Sequence, residues 1–149
     1  MKTIMPLIAV VTALGGCAVN VPGHLYPVQG PLSKDSVPPI YAVTIHGSSL
    51  PSGSLEVHMA QGTICSGAWK AVSQQDPSAR QMSADWDAVY GSGYFVANVL
   101  GKRTFARSDP ACTDSGKLNL EFLVVHPGVP SSTTGVASDG MGNVFKLAF

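Results

Sequence analysis

Histidines and a carboxylate in the first half of the chain have side chains that could bind a metal ion. His46, Glu56 and His58 would lie near one another if the strands that contain them form a hairpin. Imidazole and carboxylate groups can ligate zinc, but these residues lack the close spacing of an HExxH motif. Histidine and glutamate are also ordinary residues on an exposed strand face. We therefore predict no metal site and no cofactor.

Two further groups of residues have the types that bind ligands. Asp85 and Asp87 flank Trp86, a grouping that can hold a sugar between carboxylates and an aromatic ring. In a strand, however, the two carboxylates share one face and the ring points to the other, as a core tryptophan would. Residues 139–143 contain Asp, Gly and Asn but lack the alternating oxygens and distal Glu of an EF-hand loop. A tight turn uses the same residue types, so we interpret 139–143 as a turn.

Nucleophilic catalysis has no recognisable motif in this chain. A Gly-x-Ser-x-Gly elbow is absent, because Gly91-Ser92-Gly93 lacks the flanking residues that the elbow requires. Catalytic triads assemble from distant parts of a sequence, so a small hydrolase stays open as an alternative. We predict that the protein is not an enzyme.

The charge composition argues against a nucleic-acid partner. The chain has nine Lys+Arg and nine Asp+Glu, and charged residues make up 12% of it, against about 25% in a typical soluble domain. Lys102, Arg103 and Arg107 come nearest to a basic cluster, but nucleic-acid binders usually present a whole basic stripe. We predict no nucleic-acid partner.

Alternation of apolar and polar residues predicts an all-β domain over residues 40–149. The alternation is clearest at 40–46, 55–59 and 118–125, and turn residues separate these runs. About seven or eight short strands at this spacing are typical of a small antiparallel sandwich or barrel. The last of the three runs places Glu121 on the outward face.

Two segments in the middle of the chain depart from simple alternation. Residues 76–84 are predicted to be helical, with Asp76 as the cap and a proline in the first turn. Residues 86–90 and 94–100 are predicted to form a hairpin around a Gly-Ser-Gly turn. A candidate contact surface consists of four aromatic residues: Trp69, Trp86, Tyr90 and Tyr94. The same side chains would serve equally well as core.

The first seventeen residues have the three parts of a secretory signal. Lys2 supplies a positive charge, residues 4–14 form an apolar run, and small residues follow. The run is too short to cross a bilayer, which takes about 20 residues. Leu14-Gly15-Gly16-Cys17 resembles the lipobox of bacterial lipoproteins. This resemblance implies cleavage before Cys17, diacylglycerol on its sulfur and an acyl chain on its amino group; a cleaved signal with an incidental cysteine is the alternative.

The resemblance to lipoproteins also implies where the protein is held. Several acyl chains on one residue give stable membrane attachment. Ala18 follows the lipidated cysteine, a pattern similar to that of outer-membrane lipoproteins in Gram-negative bacteria. Residues 91–94 and 139–147 look similar in layout to small envelope lipoproteins of proteobacteria, which carry no assigned activity. We therefore expect a mature protein anchored in the outer membrane through lipid on Cys17.

The two other cysteines then form a natural pair. With Cys17 carrying lipid, Cys65 and Cys112 are the two that remain. Exported proteins meet oxidising conditions, so we predict a Cys65–Cys112 disulfide, worth about 4 kcal/mol in the chain-entropy account. A reactive thiol is the competing interpretation, but the sequence places no histidine or basic cluster beside either residue.

These observations predict three regions and a non-catalytic role. Residues 1–16 are the signal peptide, 17–39 a lipidated tether and 40–149 the β domain. The tether prediction depends on proline, since five of the eleven prolines lie within 18–39 and proline disfavours helix interiors and central strands. We expect a binding or accessory module for an envelope protein or a cell-wall polymer. The alternatives are an inhibitor of a cell-wall hydrolase such as lysozyme and a small envelope hydrolase.

Overall fold

The computed structural model describes residues 19–47, 52–101, 105–124 and 134–149, so the predicted signal peptide and Cys17 lie outside the described residues. Short strands account for about half of these residues, and one α-helix interrupts them. The strands are β1 Val19–Gln29, β2 Tyr41–Gly47, β3 Ser52–His58, β4 Ile64–Val72, β5 Phe105–Ser108, β6 Ala111–Cys112, β7 Leu118–Leu123, β8 Thr134–Asp139 and β9 Val144–Ala148. The helix α1 is Ser83–Tyr90.

Eight of the described strands close into an antiparallel barrel. Each strand pairs with its neighbours in the order β1-β2-β3-β4-β5-β7-β8-β9, and β9 pairs back onto β1. The short strand β6 pairs beside β4 without entering the ring. The predicted all-β class is confirmed, and of the two predicted architectures the structure is the barrel. Closure gives each of these strands a partner on both sides, and residues 19–23 of β1, which pair with β2, extend past the end of β9.

The first barrel strand lies where the sequence predicted a tether, so that prediction is wrong for Val19–Gln29. This strand pairs with β2 along Val19–Leu25 and with β9 along His24–Gln29. Proline is tolerated because Pro27 lies beside a register shift, where a ladder hydrogen bond is already interrupted. The folded domain therefore begins by residue 19 rather than at residue 40.

Apolar side chains fill the inside of the barrel. The alternation predicted for residues 118–125 is confirmed, since Leu118, Leu120 and Phe122 are buried in this interior. Trp69 packs edge-on against Phe122, with ring centroids 5.6 Å apart. An eight-stranded barrel is just wide enough to be filled by its own side chains, and here large aromatic and branched residues occupy it.

A segment of residues 73–101, between β4 and β5, packs against the outside of the barrel. We call it the outer segment. It begins with turns at 76–82, continues as α1 and ends in the π-helix Phe95–Val99. The prediction of a helix over 76–84 is wrong for most of that range, and the predicted hairpin of 86–90 with 94–100 is helical instead.

Apolar residues join the outer segment to the barrel wall. The outer segment contributes Trp86, Phe95 and Val99, which pack against the outward-facing side chains of β5, β7 and β8. Those wall residues are Phe105, Leu123 and Val136. The molecule therefore has two apolar layers, one inside the barrel and one between its wall and the outer segment.

The predicted disulfide is confirmed. Cys65 of β4 and Cys112 of β6 are directly opposite residues and are bonded to each other. The bond fixes β6 to the barrel wall. It also ties the connection between β5 and β7 to the neighbouring strand.

The two ends of the barrel carry different parts of the chain. We call the end where β1 begins and β9 ends the proximal end, because the amino-terminal residues enter there. The opposite, distal end carries the β1–β2 connection and the β8–β9 turn. The disulfide and the chain between β5 and β7 also lie toward the distal end.

Candidate functional site

The three residues considered for zinc do not converge. The ring of His46 is hydrogen-bonded to the side chain of Asn20 across β1 and β2, at 2.7 Å from Nδ1 to Oδ1. Glu56 and His58 pair with each other on the outer face of β3. Within the described ranges, no group of three or more His, Cys, Asp or Glu side chains could hold a metal ion.

Residues 139–143 form a turn, as the sequence predicted. Asp139 Oδ1 accepts hydrogen bonds from the backbone N–H groups of Met141 and Asn143, both at 2.9 Å. Asp139 Oδ2 accepts from the side-chain amide of Asn143 at 2.8 Å. Both carboxylate oxygens are thus occupied by N–H donors, which is the geometry of a turn and not of a calcium loop.

The prediction of an aromatic contact surface is wrong for Trp69 and Trp86. Trp69 is buried inside the barrel and donates from Nε1 to the backbone oxygen of His46 at 3.1 Å. Trp86 is buried between α1 and the barrel wall. The two tyrosines are half-buried, and their rings stack with centroids 4.7 Å apart.

The two tyrosines extend the second apolar layer rather than forming an open platform. The Tyr90 hydroxyl donates to the backbone oxygen of Gly135 at 3.1 Å, which attaches α1 to β8. Burial raises the pKa of Tyr90 to about 12, so the hydroxyl keeps the proton that it donates. The Lys146 Nζ atom lies 5.7 Å from the centre of the Tyr90 ring.

The carboxylates that flank Trp86 accept hydrogen bonds from other parts of the fold. Asp85 is half-buried and accepts from the Ser138 hydroxyl at 3.0 Å. Asp87 accepts from the backbone N–H groups of Phe95 at 3.0 Å and Gly93 at 2.9 Å, and so links α1 to the π-helix. Sugar binding by Asp85-Trp86-Asp87 would require an exposed aromatic ring, and Trp86 is buried.

A buried ion pair joins the outer segment to the barrel wall, and sequence reasoning missed it. Glu121 of β7 has no exposed surface and accepts from Arg107 Nε at 2.9 Å and Trp86 Nε1 at 2.8 Å. Arg107 Nη2 also contacts Glu121. The Nη1 and Nη2 atoms of Arg107 donate to the side-chain and backbone oxygens of Ser78, each at 2.8 Å. The alternation of residues 118–125 correctly predicted that Glu121 points outward from the barrel. The neighbouring sequence does not indicate that the outer segment covers this part of the barrel wall.

Two carboxyl groups at this junction have raised pKa values. Burial raises the pKa of Glu121, and the hydrogen bonds from Arg107 and Trp86 oppose that rise. Burial also raises the pKa of Asp85, against the hydrogen bond from Ser138. Raised carboxyl pKa values often mark proton-transfer sites. Here Glu121 is closed off from solvent and surrounded by donors that fix the outer segment, so the arrangement is suited to holding structure together.

The distal end presents exposed apolar side chains on two adjoining connections. Val37 is 83% exposed and Ile40 58% exposed on the β1–β2 connection, and Met141 is 72% exposed on the β8–β9 turn. The connections are held together because the backbone N–H of Leu32 donates to Asn143 Oδ1 at 2.9 Å. Asn143 is buried between them. We call Val37, Ile40 and Met141 the distal patch, and it is the candidate binding surface.

A glycine lets these two connections approach each other closely. Gly30 has a φ of +96°, and a side chain there would collide with the backbone of Gly142 and Asn143. The position therefore requires glycine for both its backbone conformation and its surroundings. The distal patch therefore lies on two connections that are held against each other by a hydrogen bond and by close backbone packing.

Comparison with protein-family models, curated proteins and solved structures finds no match to this chain. No helix within the described ranges is long and apolar enough to cross a membrane.

Proposed function

We propose that the protein is a lipid-anchored, non-catalytic binding module of the bacterial envelope, held in the outer membrane by acyl chains on Cys17. Its barrel binds a partner protein through the distal patch. The anchor part of this proposal is supported by Leu14-Gly15-Gly16-Cys17, which resembles a lipobox. The binding part is supported by the placement of exposed apolar residues in the fold.

The observation that carries the proposal is the separation of the two ends of the barrel. The amino-terminal residues enter β1 at the proximal end, so an anchor at Cys17 attaches there. Val37, Ile40 and Met141 are exposed on connections at the distal end, which is the end opposite that anchor. Exposed apolar side chains on adjoining loops are typical of protein interaction sites.

The chemistry of the distal patch favours a protein over a cell-wall polymer. Valine, isoleucine and methionine offer no hydrogen bonds to a sugar, whereas methionine adapts readily to protein surfaces. Polymer recognition would be better served by several exposed aromatic rings, whereas both tryptophans are buried and Tyr26 on β1 is 38% exposed. A non-catalytic role is supported by the raised-pKa carboxyls, which are engaged with Ser138, Arg107 and Trp86.

Crosslinking in the native envelope, followed by affinity capture, tests the proposal. The lipidated protein should capture one dominant partner protein. A triple variant, Val37→Ser, Ile40→Ser and Met141→Ser, should reduce that capture about tenfold or more, because truncating even one dominant contact residue costs about 2 kcal/mol or more and about 1.4 kcal/mol is tenfold in affinity. Equal capture by the wild-type protein and the triple variant contradicts the proposal.

Val96→Ser is the matched control for this experiment. Val96 is also apolar and 55% exposed, but it lies on the outer segment and not at the distal end. The control variant should capture the partner as well as the wild-type protein does.

The other two functions considered from the sequence give different results in defined assays. An inhibitor of a cell-wall hydrolase is a narrower form of the same proposal, with the enzyme as partner, and it slows lysozyme at stoichiometric concentration. A small hydrolase turns over a substrate, and that turnover disappears when one Ser, His or Asp is replaced. Turnover by the purified protein would contradict the non-catalytic proposal.

A further inference from the structure

The folded barrel begins very close to the residue that we propose to be lipidated. Val19 is the first residue of β1 and pairs with Gly47 at the proximal end. Two Cα–Cα steps separate Val19 from Cys17, and they span about 8 Å at most. A lipid on Cys17 therefore leaves no room for a spacer between the bilayer and the barrel.

From this short connection we infer that the proximal end of the barrel rests directly on the lipid bilayer, with the distal end pointing away from it. The inference depends on the proposed lipidation of Cys17 and adds a second contact surface, whose partner is the bilayer. It replaces the flexible arrangement that a tether over residues 17–39 would have allowed.

The side chains at the proximal end suit contact with lipid headgroups. In the described part of the chain, the two residues of each barrel strand nearest this end include no Asp, Glu, Lys or Arg. Val19 is exposed there and can be removed from water at the bilayer surface. Lys70 of β4 lies one residue further from the end and is exposed, so its ammonium group can reach lipid phosphates. The exposed carboxylate of Asp76, on the connection that follows β4, lies close enough to interact electrostatically with Lys70.

The charges at the distal end favour the same orientation. Asp35, Asp109 and Asp114 are exposed on its connections, where the described residues also include Lys34 and Lys117. The excess of carboxylates is repelled by the negative surface potential of anionic lipids. Three carboxylates against two ammonium groups leave an excess of one negative charge, so the short connection to Cys17 remains the main constraint on the orientation of the barrel.

This orientation sets the height of the distal patch. The strand β1 has 11 residues. At about 3.3 Å per residue and a tilt of about 40°, it raises the distal end about 25 Å above the proximal end. The partner contacted by the distal patch is therefore met at about that height above the membrane.

Fluorescence quenching on vesicles tests the inference with the full acylated protein. A label is placed at the proximal end through Asn20→Cys, or at the distal end through Val37→Cys, and both positions are exposed. The vesicles contain phosphatidylethanolamine and phosphatidylglycerol with spin-labelled headgroups. We expect the label at position 20 to be quenched severalfold more than the label at position 37.

A spacer variant provides the reference for an unconstrained barrel. About 20 Gly and Ser residues inserted between Ala18 and Val19 have a root-mean-square span of about 25 Å, enough to lift the barrel from the bilayer. The difference in quenching between the two labels should then largely disappear. If the protein without the spacer gives the same two readings as the spacer variant, the inference is overturned.

Intact mass spectrometry separates a failure of this inference from a failure of the proposed anchor. A mass without acyl chains contradicts the proposed lipidation, and the inference falls with it. A mass with acyl chains, together with equal quenching at both positions, overturns the orientation alone.

Discussion

At the level of single residues, Arg107 attaches the outer segment to the barrel through several hydrogen bonds. Its guanidinium contacts Glu121 on the neighbouring strand and reaches both oxygens of Ser78 on the outer segment. Trp86 donates to Glu121 from the opposite side. Planar, multidentate donors of this kind suit arginine and not lysine.

Replacing Arg107 with leucine should strongly destabilise the protein. The substitution leaves the carboxylate of Glu121 buried without its cation, which costs about 3–5 kcal/mol of the free energy of unfolding. The double variant Arg107→Leu with Glu121→Leu should recover most of that loss, because it removes both charges. Urea unfolding measures all three proteins.

Arg80→Leu is the matched control, since Arg80 lies exposed on the same outer segment. It should change the free energy of unfolding by less than about 1 kcal/mol. If the single and double variants at 107 and 121 are equally destabilised, the ion pair does not fix the outer segment as described.

The contributions of Asp85 and Asp87 of α1 to the stability of the protein should change in opposite directions with pH. Burial raises the pKa of Asp85, so its ionised form opposes folding and stability falls as pH rises through that raised pKa. Backbone hydrogen bonds from Phe95 and Gly93 lower the pKa of Asp87, so its contribution is present above its ordinary pKa and lost as pH falls.

Urea unfolding of asparagine variants tests this difference. The measurements run from pH 3, about the ordinary pKa of aspartate, up to pH 7, which is above it. Asp85→Asn should stabilise the protein at the upper end of the range, and the gain should shrink as pH falls. Asp87→Asn should destabilise at the upper end, and that loss should shrink at the lower end. The same sign for both variants at neutral pH would contradict the assignment.

At the level of elements, the sequence predicted the strands with one buried face better than the rest. Residues 40–46, 55–59 and 118–125 alternate regularly, and each became a barrel strand close to its predicted bounds. Pairing on both sides and an apolar interior enforce that alternation. These elements could be predicted because the signal for them is local.

The outer segment could not be predicted in the same way. Aromatic and β-branched residues around Gly91-Ser92-Gly93 favour strands, yet the chain is helical on both sides of that turn. Trp86, Tyr90 and Tyr94 recur every four residues, which was the helical signal available in the sequence. Packing against the outer barrel wall decided the outcome, and that wall is formed by strands distant in the chain.

The candidate binding site was less predictable than the fold. Aromatic residues were expected at the surface because aromatics are enriched at interfaces, but large rings also fill cores best. The connections that carry Val37 and Met141 are brought to the same end of the barrel only through the pairing of β1 with β9. Such proximity depends on the topology of the sheet.

The disulfide should contribute strongly to stability because it closes a long loop. Cys65 and Cys112 are separated by 47 positions. Cys65→Ala with Cys112→Ala should lower the free energy of unfolding by about 4 kcal/mol, the value for a loop of this length. Urea unfolding measures the loss, and intact mass of the oxidised wild-type protein should reveal no free thiol at either position. A loss below about 1 kcal/mol would contradict the stabilising role.

At the scale of the whole molecule, the barrel requires its first strand. Without β1, the edges of β2 and β9 would be unpaired and the interior would lose Leu25. A chain that starts at Ile40 should therefore lose cooperative urea unfolding, whereas one that starts at Ala18 should retain it. Equal cooperativity in the two chains would restore the tether interpretation.

The two ends of the barrel differ in the residues that they expose. The proximal end receives the amino-terminal residues and is uncharged at its described strand ends, and the distal end carries exposed apolar residues on braced connections. In the account proposed above, one end faces the membrane and the other holds a protein. The filled interior keeps these two surfaces in a fixed relation.

Site-specific photocrosslinking in intact envelopes is the most direct test of a protein-binding surface at the distal end of the barrel. A photoreactive residue at position 141 lies in the distal patch, and the same residue at position 96 is exposed on the outer segment. We predict that position 141 forms one dominant crosslink to a partner protein and that position 96 does not. Crosslinks of equal strength at both positions, or crosslinks at position 96 alone, would contradict a binding surface at the distal end.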